Sequence, residues 1–223
     1  MFLDFYTFSV RNSVATSIST NSQNRIQPRD LRANDNFQLS LETKLGQKGI
    51  KYLRKRGGFE DHSEDIPKLD ALKAGQLILS YTLLEPAQAK KQSDSIFSDW
   101  YNKIFAAVDV SKLIRAHELY AKIKEFQKYI ADEIRIRGVS RTADTFITYG
   151  GFHVLALCSK LEKLFPDKTD DELIRSALDI ITETLLEVGQ PAYYNFFRDS
   201  KKADIMLEKC EQPDLFDAQK KSA

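Results

Sequence analysis

The stretch Thr169–Gly189, "TDDELIRSALDIITETLLEVG", carries a strong helix signal. Thr169 and Glu172 have the spacing of a capping box, in which each of the two side chains bonds the backbone N–H of the other residue. The first turn is acidic, which suits the positive end of the helix dipole. The stretch therefore predicts a long helix that begins here.

From Pro67 onward, apolar residues recur with a helical period. This pattern predicts helices over 67–85, 96–105, 110–137, 142–165 and 191–210. The inward stripe of the 110–137 helix would comprise Leu113, Ala116, Leu119, Ile123, Phe126, Ile130 and Ile134. We therefore predict a helical domain over residues 67–212, a bundle of about five helices, with a flexible tail over residues 213–223.

Residues 1–66 have a mixed pattern. Met1–Val10 alternates loosely, as a strand does, and the pattern then predicts a short helix over residues 11–20, which residues 21–25 end. Pro28 suits the first turn of a helix. Asp35 followed by Gln38 resembles a second capping box, for a helix that Gly46 and Gly49 would end.

The segment "IKYLRKRGGFED", residues 50–61, reads as a strand in which Tyr52, Arg54 and Arg56 share one face and Leu53 lies opposite, followed by a turn at Gly57–Gly58. The predicted fold class is mainly α, with a small mixed α/β N-terminal piece before the bundle. Because a lone strand pair does not fold by itself, we expect this piece to be the end of a domain that begins outside this chain.

Composition bounds the class of protein. Hydrophobic residues make up 42% of the 223-residue chain and charged residues 29%, as in soluble globular proteins. No apolar run approaches the roughly 18 residues of a membrane-spanning helix. Cys158 and Cys210 are too few for a disulfide framework and read as buried thiols in a reducing compartment. We predict a cytoplasmic protein without a membrane partner.

Charge is unevenly distributed along the chain. Residues 1–59 hold 10 Lys/Arg against 4 Asp/Glu, a net charge of +6, whereas the remainder holds 23 against 28, a net charge of −5. Five cations stand between Lys48 and Arg56, a density that suits phosphate. The alternative is an exposed edge strand whose charges protect it from aggregation.

The polar stretch Thr20–Gln38, "TNSQNRIQPRDLRANDNFQ", suggests a second contact. Its amides can read adenine edges, and its arginines can reach phosphates or guanine. The alternative is local, since Asn, Ser and Asp also bond their own backbone at helix ends. The candidate nucleic-acid-binding residues are Asn21, Gln23, Asn24, Arg29, Arg32, Lys51, Arg54, Lys55 and Arg56.

Catalytic signals are weak. The histidines His62, His117 and His153 lack the spacing of metal ligands. The "ETK" at Glu42–Lys44 matches the acid-x-Lys of some nucleases, but it falls on a predicted helix without a partner acid. We predict no catalytic residue, no metal and no cofactor for this chain.

Several motifs, taken in order, resemble the C-terminal half of the abortive-infection phage-resistance (AIPR) family. The matching residues are Thr20, Asn21, Gln23 and Asn24; Arg29, Asp30, Leu31, Asn34 and Asp35; Tyr52, Lys55, Arg56 and Gly57; then Pro86 and Ala89, with Phe97, Tyr101 and Phe105 beyond. The resemblance covers about residues 10–107. It implies a role in bacterial defence against phage, and an upstream Asn-Gly-x-Gln-Thr motif and nuclease-like domain that this chain does not contain.

These observations predict a nucleic-acid-binding or sensing module without catalysis of its own. The alternatives are a helical interaction module, which would dock a separate nuclease domain or a second copy through its aromatic last helix, and a metal-dependent nuclease.

Overall fold

The computed structural model describes residues 28–55, 66–91, 94–106, 108–126, 150–188 and 193–211. The first part holds α1 (Pro28–Arg32), α2 (Asn36–Gly46), β1 (Lys51–Leu53) and β2 (Lys68–Asp70). Then come α3 (Ala71–Leu77), a π-helical segment (Ile78–Thr82), α4 (Gln88–Lys91), a 3-10 segment (Asp94–Phe97) and α5 (Tyr101–Phe105). The last part holds α6 (Val110–Glu125), α7 (Gly151–Leu164), α8 (Asp170–Val188), α9 (Tyr193–Phe196) and α10 (Ser200–Lys209).

The predicted fold class is confirmed: the described chain is mainly α, with short strands only in its first part. Helix α7 occupies the middle of the core and packs against α6, α8, α10 and the π-helical segment. It is buried on nearly every side, from Phe152 to Ser159. On α6 the predicted stripe is confirmed for Leu113, Ala116, Leu119 and Ile123, which are all buried.

Several predicted helix ends are confirmed. The Thr169 backbone N–H donates to Glu172 Oε2 at 2.8 Å, and the Glu172 N–H donates to Thr169 Oγ1 at 3.4 Å, so the capping box forms at the start of α8. Pro28 is the first residue of α1. Helix α2 ends at Gly46, and Gly49 follows with φ of 75°, a conformation that glycine adopts without strain.

The predicted helix start near Pro67 is wrong. Lys68–Asp70 forms β2, which pairs in parallel with β1, and the helix begins only at Ala71. The reason is the cap: the Asp70 carboxylate accepts the backbone N–H groups of Leu72 at 2.9 Å and Lys73 at 3.1 Å. An Asp in this role fixes the helix start and leaves the preceding residues extended.

Two predicted continuous helices are interrupted. Residues 98–100 form a turn between the 3-10 segment and α5, so 96–105 is not one helix. In the last part, the Asp199 carboxylate accepts the Lys201 N–H at 2.9 Å and starts α10 separately from α9. Helix α6 ends at Glu125 with Phe126 as its C-cap, short of the predicted end at Arg137. Residues 127–137 lie outside the described residues.

The predicted capping role of Gln38 is wrong. Asp35 does cap α2, since its carboxylate accepts the Phe37 N–H at 3.0 Å. Gln38, however, is buried, and its Oε1 accepts the Tyr52 hydroxyl at 2.6 Å. Burial raises the pKa of the Tyr52 phenol well above its ordinary value, so this hydroxyl stays a neutral donor. The pair ties α2 to β1.

One hydrophobic cluster includes described residues on both sides of the predicted boundary at residue 66, from Leu41 to Cys210. The division into domains stays a prediction. Cys158 and Cys210 are buried free thiols, as predicted. Burial raises the pKa of the Cys210 thiol to about 12. The predicted strand at residues 1–10, helix at residues 11–20, turn at Gly57–Gly58 and tail all lie outside the described residues.

Candidate nucleic-acid interface

The parallel strand pair places two lysines side by side. In the register of β1 and β2, Lys51 stands opposite Lys68, Tyr52 opposite Leu69 and Leu53 opposite Asp70. Tyr52 and Leu69 are buried on one face of the sheet. Lys51 and Lys68 alternate with them and are half-buried on the other face, where Leu53 is also buried. The register thus brings together two lysines that are far apart in the chain.

Two exposed lysines flank Lys51 along the chain. Lys48 lies in the loop between α2 and β1, and Lys55 follows the end of β1. Lys68 was missed by sequence reasoning, because the periodic pattern assigned it to a helix. Asp70 was the available signal, since an Asp before a helical pattern predicts an N-cap and leaves residues 67–69 for another role. We call Lys48, Lys51, Lys55 and Lys68 the basic patch.

Arg29, one of the predicted contact residues, points inward. Its guanidinium donates to the carbonyl of Leu53 at 2.9 Å, of Arg54 at 3.3 Å and of Lys55 at 3.4 Å. Its Nη1 also lies 3.6 Å from a carboxylate oxygen of Asp70. Arg29 therefore closes the end of β1 and joins it to the cap of α3.

Arg54 has a similar internal role. Its Nη1 donates to the Ala33 carbonyl at 2.6 Å and to Asn34 Oδ1 at 3.1 Å. Its Nε lies 2.9 Å from Glu42 Oε2. Glu42, the acid of the "ETK" match, lies on α2 as predicted and is held by this ion pair. Arg54 thus connects β1 to α2 and to the turn before it.

Arg32 is the most exposed of the three predicted arginines that the structure describes, with 43% of its side chain accessible. Its guanidinium lies 4.5 Å from the centre of the Tyr101 ring and 3.6 Å from an Asp35 carboxylate oxygen. Lys51 lies on β1 and Arg54 and Lys55 directly follow it, and Arg29 donates to the carbonyls at the end of this segment. Asn21, Gln23, Asn24 and Arg56 lie outside the described residues.

A second charged cluster, which the sequence did not reveal, joins the helices of the core. Arg115 donates to Glu162 Oε1 at 2.9 Å and to Asp170 Oδ1 at 2.6 Å. Lys122 donates to the other Asp170 oxygen, and the Tyr81 hydroxyl donates to Glu162 Oε2. The Arg115 hydrogen bond, aided by Lys122, lowers the pKa of Asp170 to about 2.

Both carboxylates of this second cluster already accept hydrogen bonds from cationic side chains or a hydroxyl. Tyr81 belongs to the π-helical segment, and its carbonyl accepts the Ser159 hydroxyl at 2.7 Å. Desolvation and the Glu162 hydrogen bond raise the pKa of the Tyr81 phenol, which keeps it neutral. The cluster is therefore suited to fastening α6, α7 and α8 together.

Histidines and metal ligands add little to the site. Across the described ranges, no group of three or more His, Cys, Asp or Glu residues is arranged to hold a metal ion. Burial lowers the pKa of His117 on α6. His153 is buried on α7, with its ring 5.0 Å from that of Phe197.

The aromatic last segment was predicted to dock a partner. Phe196 and Phe197 are instead buried in the core, with ring centres 5.1 Å apart, so they present no ring to a partner. None of the helices within the described ranges is both long and apolar enough to cross a membrane.

Comparison with known proteins gives one match. The family model described as AIPR protein matches residues 7–188, which is most of the chain and includes both the basic patch and the charged cluster of the core. Neither the curated proteins nor the solved structures contain a significant match.

Proposed function

Because this chain belongs to the AIPR family, which suggests abortive-infection phage resistance, we propose that it serves that defence by binding nucleic acid through the basic patch. The proposal assigns no catalytic step to this chain. Its ligand would be recognised by phosphate charge first, since the patch consists of lysines, which act on phosphate as point charges.

The observation that carries the proposal is the register of β1 and β2. It sets Lys68 beside Lys51, although the two are 17 positions apart in the chain, and so adds a cation to a segment that is already basic. Two lysines at paired strand positions concentrate positive charge in one place, which favours an anionic ligand. A phosphate backbone supplies such an anion and releases counterions when it binds.

The arginines support this surface in the proposal. Arg29 bonds three consecutive carbonyls from Leu53 to Lys55, and Arg54 is held by Ala33, Asn34 and Glu42. These contacts fix the strand that bears Lys51 and Lys55. We therefore assign phosphate contact to the lysines and positioning to Arg29 and Arg54.

Fluorescence anisotropy with a labelled oligonucleotide at low salt tests the proposal. The variant is the pair Lys51→Gln and Lys68→Gln, and the matched control is Lys163→Gln with Lys201→Gln, two exposed lysines on α7 and α10. If each patch lysine contributes about 1–1.5 kcal/mol to binding, the pair should lose roughly 30- to 150-fold in affinity.

The control pair should bind like the unaltered protein. Both pairs are compared with the unaltered chain by thermal unfolding, so that a loss of affinity is read only on folded protein. Equal affinity of the patch variant and the unaltered chain, equal losses in both variants, or no binding by the unaltered chain at low salt would each reject the proposal.

A further inference from the structure

A groove of about 210 Å³ lies between α2 and the junction of α5 with α6. Phe37, Ser40 and Lys44 line it from α2, and Phe105 and Val110 line it from the other side. The three residues of α2 are spaced at i, i+3 and i+7, so they share one helix face. The groove thus combines an aromatic wall, a hydroxyl and an ammonium group.

Phe37 is unusual among the apolar residues on this face of α2. Leu41 and Leu45 are buried, whereas 37% of Phe37 is accessible. Its ring lies 6.2 Å from that of Tyr101, tilted by 52°, and the Arg32 guanidinium lies over the Tyr101 ring. A single exposed apolar residue is ordinary. An open aromatic ring that lines a groove beside a lysine has the composition of a stacking site.

The charges around the groove favour an anionic occupant. Lys44 is the one charged residue among the described residues that line it. The nearest carboxylates along the chain are all engaged. Asp35 and Asp109 cap α2 and α6 by accepting backbone N–H groups, and Glu42 forms an ion pair with Arg54.

The size of the groove narrows the choice of occupant. Sites for drug-sized ligands measure roughly 300–1,000 Å³. A groove of about 210 Å³ is smaller and fits a single ring system. Bases in single-stranded nucleic acid present such rings, because they are free to leave the strand and stack on aromatic side chains.

We propose that this groove receives one base of a single-stranded nucleic acid, stacked on Phe37, with the adjoining phosphate held by Lys44. The inference rests on the proposed function and names the class of nucleic acid that the chain takes. The backbones of Phe37 and Lys44 are two helical turns apart, about 10 Å along α2. The flexible lysine side chain can bring its ammonium group closer to the Phe37 ring than that. Lys44 is followed in the chain by Lys48 and Lys51 of the basic patch, which would take the neighbouring phosphates.

The test compares two single strands of equal length and charge, one with bases and one built of abasic deoxyribose phosphates. The unaltered protein should bind the strand with bases about 5- to 150-fold more tightly, the range expected for one stacked base. Phe37→Ala should lose this preference and bind both strands alike, and Phe37→Trp, which keeps an aromatic ring, should retain it.

Leu39→Ala is the matched control, because Leu39 is on the same helix, is 39% accessible and does not line the groove. Its preference for bases should be unchanged. Thermal unfolding of Phe37→Trp shows whether the fold survives substitution here. An unchanged preference in Phe37→Ala, or equal binding of both strands by the unaltered protein, would overturn the inference while leaving the basic patch in place.

A loss of affinity for both strands alike in Phe37→Ala would also overturn it, since that would assign Phe37 to packing. If an aromatic peptide without phosphate displaced neither strand, the base would remain the occupant; displacement of the strand with bases by such a peptide would favour a protein partner instead. If neither strand bound the unaltered chain at low salt, the proposed function itself would fail.

Discussion

The substitution Arg29→Lys tests whether Arg29 positions β1 or contacts the nucleic acid itself, because it keeps the positive charge and removes the planar guanidinium. Arg29 makes three hydrogen bonds to the carbonyls at the end of β1, at 2.9, 3.3 and 3.4 Å, and an ion pair with Asp70 at 3.6 Å. A lysine has one terminal nitrogen, which can reach Asp70 or one carbonyl but cannot span the row.

The size of the effect follows from the bonds lost. The substitution removes about two hydrogen bonds worth about 1 kcal/mol each, so the free energy of unfolding should fall by about 2 kcal/mol. For a chain of 223 residues this corresponds to a decrease in Tm of roughly 4–8 °C. Arg32→Lys is the matched control; its side chain is 43% exposed and it should change Tm by less than about 2 °C.

Thermal unfolding followed by circular dichroism measures this difference, and oligonucleotide affinity below the unfolding range is measured on the same samples. We expect Arg29→Lys to unfold earlier and to bind nearly as well as the original, since the patch lysines remain. An unchanged Tm together with a marked loss of affinity would refute the reasoning, because it would place Arg29 at the ligand and not beneath the strand.

Two further predictions concern packing and charge in the core. Gly75→Ala should lower the free energy of unfolding by about 1 kcal/mol, measured by urea denaturation. The new Cβ would lie 2.5 Å from Ile96 Cγ2, and the cost of this overpacking exceeds the gain in helix propensity. Gly46→Ala, whose Cβ would meet nothing within 4 Å, should leave stability equal or slightly higher, and the opposite order of the two variants would contradict the described packing of α3. Asp170→Asn should lower the free energy of unfolding by about 1–2 kcal/mol at pH 7. The reason is that the Asp170 carboxylate accepts a hydrogen bond from Arg115, which lowers its pKa to about 2 from an ordinary value near 3.9. That contribution is complete above about pH 4 and is lost as pH falls towards 2, so a difference that persists undiminished at pH 2 would rule out the ion pair as its source.

Local rules recovered most of the helices. The Thr169–Glu172 capping box and the Asp35 cap are set by neighbouring residues, so sequence alone locates the starts of α8 and α2. The stripe of α6 follows from helical period, because Leu113 and Leu119 must face the core together.

What the sequence did not reveal depends on contacts between distant residues. The pairing of Lys68 with Lys51 requires that β2 meet β1, and no local pattern in so short a strand specifies that register. Gln38 has the right spacing for a cap, yet the hydroxyl of Tyr52 draws it into the core.

The same limit applies to the candidate site. Arg29 and Arg54 resemble ligand-binding residues when only their charge and spacing are known. The carbonyl and amide oxygens to which they donate lie 20 to 26 residues away in the chain, so these partners are known only once the chain has folded. Of the predicted residues, Lys51 is half-buried on β1 and Lys55 is exposed after its end, and phosphate contact by either stays a prediction.

The salt dependence of binding tests the central claim most directly. The slope of log K against log salt concentration, measured for the unaltered chain and for the pair Lys51→Gln and Lys68→Gln, counts the phosphates that the protein neutralises. The account predicts a steep slope for the unaltered chain and a slope shallower by about 1.4 to 1.8 for the pair, one phosphate for each lysine. Two parallel lines would contradict it, because the two lysines that the strand register brings together would then contact no phosphate.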